Sequence, residues 1–234
     1  SYLAPAVQAA EFILENQWVK DRFHRVNYEG KVAVSAQSED YAFFIKALLD
    51  LHQATLGIDQ ENTQFWLEKA QEVQAEFDNF LWSVELGGYY NTASDASNNL
   101  LVRERNYIDN ATPSANGIAI ANLARLALLT ENLEYLDRAE QALQAFSEIM
   151  SKSPSACPSL FTALDWYRNH TLIRTTEEEL KFLKLQYLPT AVTILTEELP
   201  TGTVGLVCQG LSCTEPAKNH EHLWQQIQQS LSRG

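Results

Sequence analysis

The sequence predicts a mainly α protein: three helical hairpins in two concentric layers, followed by a small α/β appendage. Three observations carry this prediction. Apolar residues recur at helical spacing through residues 4–167. Helices with one apolar stripe alternate with helices that are apolar on nearly every face. After Asn169 the composition shifts to short β-branched runs.

The first helix, over 4–17, carries a weak stripe of Ala6, Ala9, Phe12 and Ile13. The second, over 39–56, is apolar almost all round and includes the small residues Ala42 and Ala47. Such a helix needs protein on every side, and small residues let neighbouring backbones approach. Residues 61–81 return to one stripe, Phe65, Ala70, Val73, Phe77, Phe80 and Leu81, against Glu68, Glu72, Glu76 and Asn79. Residues 113–129 form a second inner helix, with Ala115, Gly117, Ala119, Ala121 and Ala124. Residues 131–150 place Leu133, Leu136, Ala139, Leu143, Phe146 and Ile149 on one face and Glu134, Asp137, Glu140 and Gln144 on the other. A short third inner helix is expected near 155–167. The resulting order of outer and inner rods describes three hairpins.

The connections alternate too. Inner-to-outer links are short, "GIDQEN" and "LTEN", whereas two outer-to-inner links are long and must emerge at one end of the layers. Each long link repeats one script. A helix ends at Trp18 or Trp82, and a β-prone stretch follows: Val26, Tyr28, Val32 and Val34 in the first, Tyr89, Tyr90, Leu101 and Val102 in the second. An acidic loop then enters the inner helix, "SEDYA" or "DNATPS". In the appendage, "HTLIRTT", "TAVTIL" and "TVGLVCQ" read as strands, "EEELKFLKL" and 219–231 as helices.

Composition excludes several classes of function. A net charge of −13 argues against nucleic acid and anionic membrane surfaces, which select basic stripes. The longest apolar runs are interrupted by Lys46, Asp50, Asn122 and Arg125 and fall short of a bilayer span. No CxxC, GxGxxG, P-loop or HExxH is present, so no cofactor or metal is expected. Three cysteines without a leader pattern point to a reducing cytoplasm, and a start at Ser1 suggests a processed or excised piece.

The stretches "EDYAFFIKALLDLHQAT", "GGYYNT", "LLVRERNYIDNATPSANGIAIANLARLA", "PSACPSLFTALD" and "VCQGLSCTEP" together resemble the C-terminal part of the YyaL/spermatogenesis-associated protein 20 family of thioredoxin-domain-containing proteins. The resemblance implies a thioredoxin-like domain ahead of a six-hairpin (α/α) toroid, similar to those of glycosidases and N-acylglucosamine 2-epimerase. This chain would supply a partial (α/α) toroid of about three hairpins over 1–168 and the appendage over 169–234. A carbohydrate-like ligand, and a thioredoxin-like domain or the remaining half of the toroid as partner, are what the resemblance implies.

Asp40 and Asp109, with Glu39 beside the first, are the candidate acid/base pair, because glycoside hydrolysis needs two carboxyl groups flanking one bond. Helix capping competes for the same residues. Tyr28, Tyr41, Tyr89, Tyr107, Asn110 and Asn116 are candidate ligand contacts, aromatic faces suiting sugar rings. Arg103 is a candidate bidentate anchor. An epimerase needs bases with pKa near neutrality, and His24 alone lies on a rim loop, with His52 deep in an inner helix. Cys208 and Cys213 read as two reduced structural thiols, or as a redox pair. Three hairpins leave two open sides of an apolar layer, so self-association is expected.

Overall fold

Helices occupy the stretches that the apolar spacing marks. The computed structural model describes residues 2–20, 22–96, 102–210 and 212–232. Along them run α1 (Leu3–Asn16), β1 (Trp18–Val19), β2 (Arg22–Tyr28), β3 (Lys31–Ser35), α2 (Ser38–Thr55), α3 (Gln60–Leu81), α4 (Ala115–Thr130), α5 (Glu134–Lys152), α6 (Pro158–Asn169), β4 (Thr171–Thr175), α7 (Glu177–Leu183), β5 (Ala191–Leu195), β6 (Gly205–Gln209), β7 (Ser212–Cys213) and α8 (His220–Leu231). The protein is mainly α. Leu101 of the expected second β-prone stretch lies outside the described residues; Val102 is exposed and in no strand.

Local chemistry sets the helix starts. Gln37 and Asp40 close a capping box on α2, the Asp59 side chain accepts from the Asn62 N–H at the head of α3, and Ser114 does the same for Gly117 on α4. Pro158 opens α6, where its missing N–H costs nothing.

Burial separates the rods. Thirteen of the sixteen residues of α4 are buried and ten of the eighteen in α2, against five of nineteen in α5 and Ala10 alone in α1. The two all-apolar segments are therefore the enclosed ones. Helices α2, α4 and α6 pack in that sequence, with α1 and α3 against α2 and α5 against α4. The approach of α4 to α6 depends on Gly117, where a Cβ would lie 2.0 Å from Ser159 Oγ and 2.8 Å from the Ser159 backbone carbon.

The packing departs from the sequence reading in places. On α3, Trp66 is fully buried rather than its neighbour Phe65, which is half-buried. Phe12 is exposed on the bare side of α1, and Leu133 is exposed just ahead of α5. Helix α6, expected to be enclosed, buries only Ser159, Leu160 and Ala163, because no element covers its far face among the described residues.

Strands β1–β3 form a small antiparallel sheet in the first connector. After α6 a four-stranded sheet has the order β5-β4-β6-β7, with β4 parallel to β5 and antiparallel to β6. Alternation of side chains gives it two apolar faces. Leu172, Val192 and Cys208 join the helical core, while Ile173 and Val207 pack with Leu223 and Ile227 of α8. Gln53 of α2 docks it by a two-point bond to edge strand β5, donating to Thr193 O at 3.1 Å and accepting from Thr193 N at 2.9 Å. Lys184 donates to the carbonyls of Ala54 and Leu56, which α2 leaves free at its C-terminus.

Candidate functional site

Both long connectors are sewn to the same ends of the inner helices. Asn91 O accepts from Ser38 N at the head of α2, and Asn91 Oδ1 accepts from Ser38 Oγ and from Asn106 N. Asn106 O in turn accepts from Asn116 Nδ2 at 2.7 Å, at the head of α4. Asp109 continues the seam to α6. Its carboxylate accepts from Ser114 N at 2.8 Å, Ser159 N at 2.6 Å and Ser159 Oγ at 2.5 Å. The N-termini of α2, α4 and α6 therefore meet at one end, the rim.

Asp109 is thus the anchor of two helix starts. Burial raises its pKa, but the hydrogen bonds from Ser159 and Ser114 outweigh that, and its carboxyl stays below the usual range. Asp40 differs. It accepts from Gln37 N at 2.7 Å and faces Arg25 Nε at 3.4 Å, yet burial prevails and lifts its pKa above the usual range. Glu39 is exposed and pairs with Arg25 Nη2 at 2.6 Å.

Several expected ligand contacts are instead core groups. Tyr41 is fully buried and donates to Glu76 Oε1 at 2.7 Å. Tyr89 is fully buried, stacks on Phe77, donates to Asp78 at 2.6 Å and accepts from Gln74 at 2.9 Å. Burial, with the neighbouring carboxylates, raises the pKa of both phenols. Asn116 is sealed too: its amide pairs with Tyr89 N and O as a strand residue would. Arg103 donates to Thr92 O and Phe80 O and lies over the Tyr90 ring, so its fork is spent on carbonyls; burial lowers its pKa. Tyr107 is half-buried against Phe146. Tyr28 and Asn110 are exposed.

One group was misassigned by the sequence pattern. Glu76, placed on the wet face of its helix, is buried and gathers Tyr41 Oη, Phe23 N and Arg22 Nε on Oε1. Arg22 continues to Asp95 and covers the Phe80 ring. The signal was available in the spacing, since position 76 falls three residues after Val73 and beside Phe77. His24, the rim histidine, bonds through Nδ1 to Arg22 O.

Cys208 and Cys213 face each other across β6 and β7 and are joined in a disulfide, where reduced thiols were expected. The antiparallel register, invisible in the spacing alone, brings the two Cα atoms to 3.9 Å. Cys157 is free and buried, and burial raises its pKa. Among the described residues no group of His, Cys, Asp or Glu gathers as metal ligands would, and no helix is long and apolar enough to cross a membrane.

Fold and rim together define a helical-hairpin protein whose inner helices share one polar seam and whose C-terminal sheet completes the core. No family model matches the chain. Its sequence is 34% identical to spermatogenesis-associated protein 20 of Rattus norvegicus over 169 residues, 68% of this chain and 21% of that protein. It is 37% identical to the Homo sapiens protein of the same name over 126 residues, 54% of this chain and 15% of that one. An uncharacterized protein of Caenorhabditis elegans is 34% identical over 171 residues, 70% and 22% of the two chains. The chain is a relative of the spermatogenesis-associated protein 20 family, of YyaL type, and spans about a fifth of the length of the curated relatives it matches.

Proposed function

We propose that this chain is a non-enzymatic scaffold: part of an (α/α) toroid that seats the rest of a spermatogenesis-associated protein 20-type protein, either the remaining hairpins or a thioredoxin-like domain. One observation carries the reading. The rim groups that would do chemistry are consumed in holding helix ends together, while exposed Phe161 of α6 and exposed Tyr187 of the chain before β5 line one hollow. The hollow of about 490 Å³ between α6 and that segment, lined by Phe161, Trp166, Tyr187 and Pro189, suits an apolar partner side chain. The alternation of enclosed and half-wet helices supports the toroid part of the reading, with residues 1–168 as toroid and 169–234 as appendage. A reducing cytoplasm remains the proposed setting, with the Cys208–Cys213 bond as a redox candidate there.

Light scattering of the chain alone and with the family's remaining segments tests this. Self-association or complex formation, lost in Phe161→Asp/Tyr187→Asp with the helical circular dichroism unchanged, is expected. A monodisperse monomer that ignores those segments overturns it.

A second reading, a carbohydrate-like ligand processed at the rim, is favoured by one specific feature. Asp40 and Asp109 sit at the same end with pKa values displaced in opposite directions, as a general acid and its ionised partner require. Glu39, Tyr28, Tyr107 and Asn110 would then be the reachable contacts. Calorimetry with mono- and oligosaccharides against wild type and Asp40→Asn decides it: heat lost in the variant supports the reading, and no heat with either removes it.

A further inference from the structure

A large cavity lies at the other end of α2 from the rim. Its volume is about 1160 Å³. Fourteen residues of helix, roughly 20 Å at 1.5 Å per residue, separate Ser38 at the rim from His52 at the cavity. The walls come from the last turns of α2, the first turns of α3, the end of α4, the carboxyl ends of parallel strands β4 and β5, and the segment 196–203. That is where open sheets with parallel strands collect ligands.

The charged residues that line it are all acidic. Glu177, Glu197 and Glu198 line the mouth, all three exposed, and no lysine or arginine is among the lining residues. The inner wall is apolar, with Leu56, Leu67, Leu129 and Ile194. Into this wall is set one buried polar ring. His52 is 6% exposed, and its one hydrogen bond runs from Nδ1 to Thr63 O at 2.9 Å. A carbonyl only accepts, so Nδ1 carries the proton and Nε2 of the neutral ring is left as an acceptor. Burial, and secondarily Arg125, lower its pKa and keep the ring neutral.

We propose that this cavity binds a small organic cation, a primary ammonium or guanidinium group on a short apolar stem. The cationic head donates to His52 Nε2, the stem lies on the leucine wall, and the three carboxylates at the mouth select positive charge. Phosphates and carboxylates are repelled by the three glutamates at the mouth. The site is independent of the rim and of the scaffold reading, since none of its lining residues belongs to either.

The test uses the full chain with 1,4-diaminobutane and n-butylamine as probes, and butyrate and n-butanol as controls, followed by the imidazole resonances of His52 in an NMR titration. Saturable shifts of His52 with the amines at millimolar concentration, and none with butyrate, are expected. Glu197→Gln/Glu198→Gln, whose side chains are solvated and make no bond to the fold, should weaken amine binding by about fivefold; His52→Phe should abolish it. Equal response to butyrate and butylamine, shifts confined to residues away from the cavity, or unchanged affinity in the double glutamine variant overturns the proposal.

Discussion

Replacing Asp109 with alanine separates a structural carboxylate from a chemical one. The substitution removes the acceptor for Ser114 N at the head of α4 and for Ser159 N and Oγ at the head of α6. Loss of an N-terminal cap costs about 0.5–2 kcal/mol per helix, and each bond to a charged acceptor is worth about 1.5–3 kcal/mol before coupling among neighbours reduces the sum. For two helix starts served by one side chain we expect a loss of about 2–4 kcal/mol. At about 2–4 °C per kcal/mol for a chain of this size, Tm should fall on the order of 10 °C. Asp109→Asn retains one acceptor oxygen and should cost about half as much. Urea unfolding followed at 222 nm measures both. The pH dependence adds a second readout. The folded-state pKa of Asp109 lies below its unfolded value near about 3.9, so ionised Asp109 stabilises the fold fully above that pH. The contribution is lost as the pH falls through the depressed folded value. The gap between wild type and Asp109→Asn must therefore close in that window. An alanine variant as stable as wild type would refute the anchoring role.

Three other outcomes follow from the same geometry. Gly117→Ala should destabilise by about 1–3 kcal/mol through overpacking, despite a helix-propensity gain of about 1 kcal/mol, because the new methyl meets the Ser159 backbone; a rise in Tm would show that α6 yields freely. Tyr41→Phe should cost about 1.5 kcal/mol in the same unfolding assay by removing a donor from buried Glu76, with no effect on ligand affinity at the rim. Alkylation followed by mass spectrometry should label no cysteine in the native protein, one in denaturant and three after reduction, since Cys157 is buried and the other two are bonded; three labels without reductant would place the pair in the thiol form.

Helix identity was legible because enclosed and half-wet helices leave different residue patterns, and the structure places all six hairpin helices within a few residues of their expected spans. The shared rim was legible from link lengths. Which rim residues remain available was not. Tyr41, Tyr89 and Asn116 look like contacts in a polar loop, but each meets a partner far along the chain: Glu76, Asp78 and the Tyr89 backbone. Such pairings arise only once α3 and the second connector have docked. The bare face of α6 was hidden for the opposite reason: its sequence is as apolar as that of an enclosed helix, and what it lacks is a neighbour. His52 was read as lying in an inner helix away from the rim, and nothing local to its sequence signals the distant strand ends that open a cavity beside it.

The two-point bond from Gln53 to Thr193 has a further effect on how copies of this protein meet. A sheet grows by recruiting a new strand along an unpaired border, the route by which many proteins polymerise. Here one border strand has its central amide and carbonyl already occupied by a glutamine, and the opposite border is a two-residue stub tied back by a disulfide. Strand recruitment onto this sheet is therefore hindered on both sides. The bare border belongs instead to the connector sheet, where β3 lies at the edge with most of its residues exposed, so strand-to-strand contact between copies would run through β3.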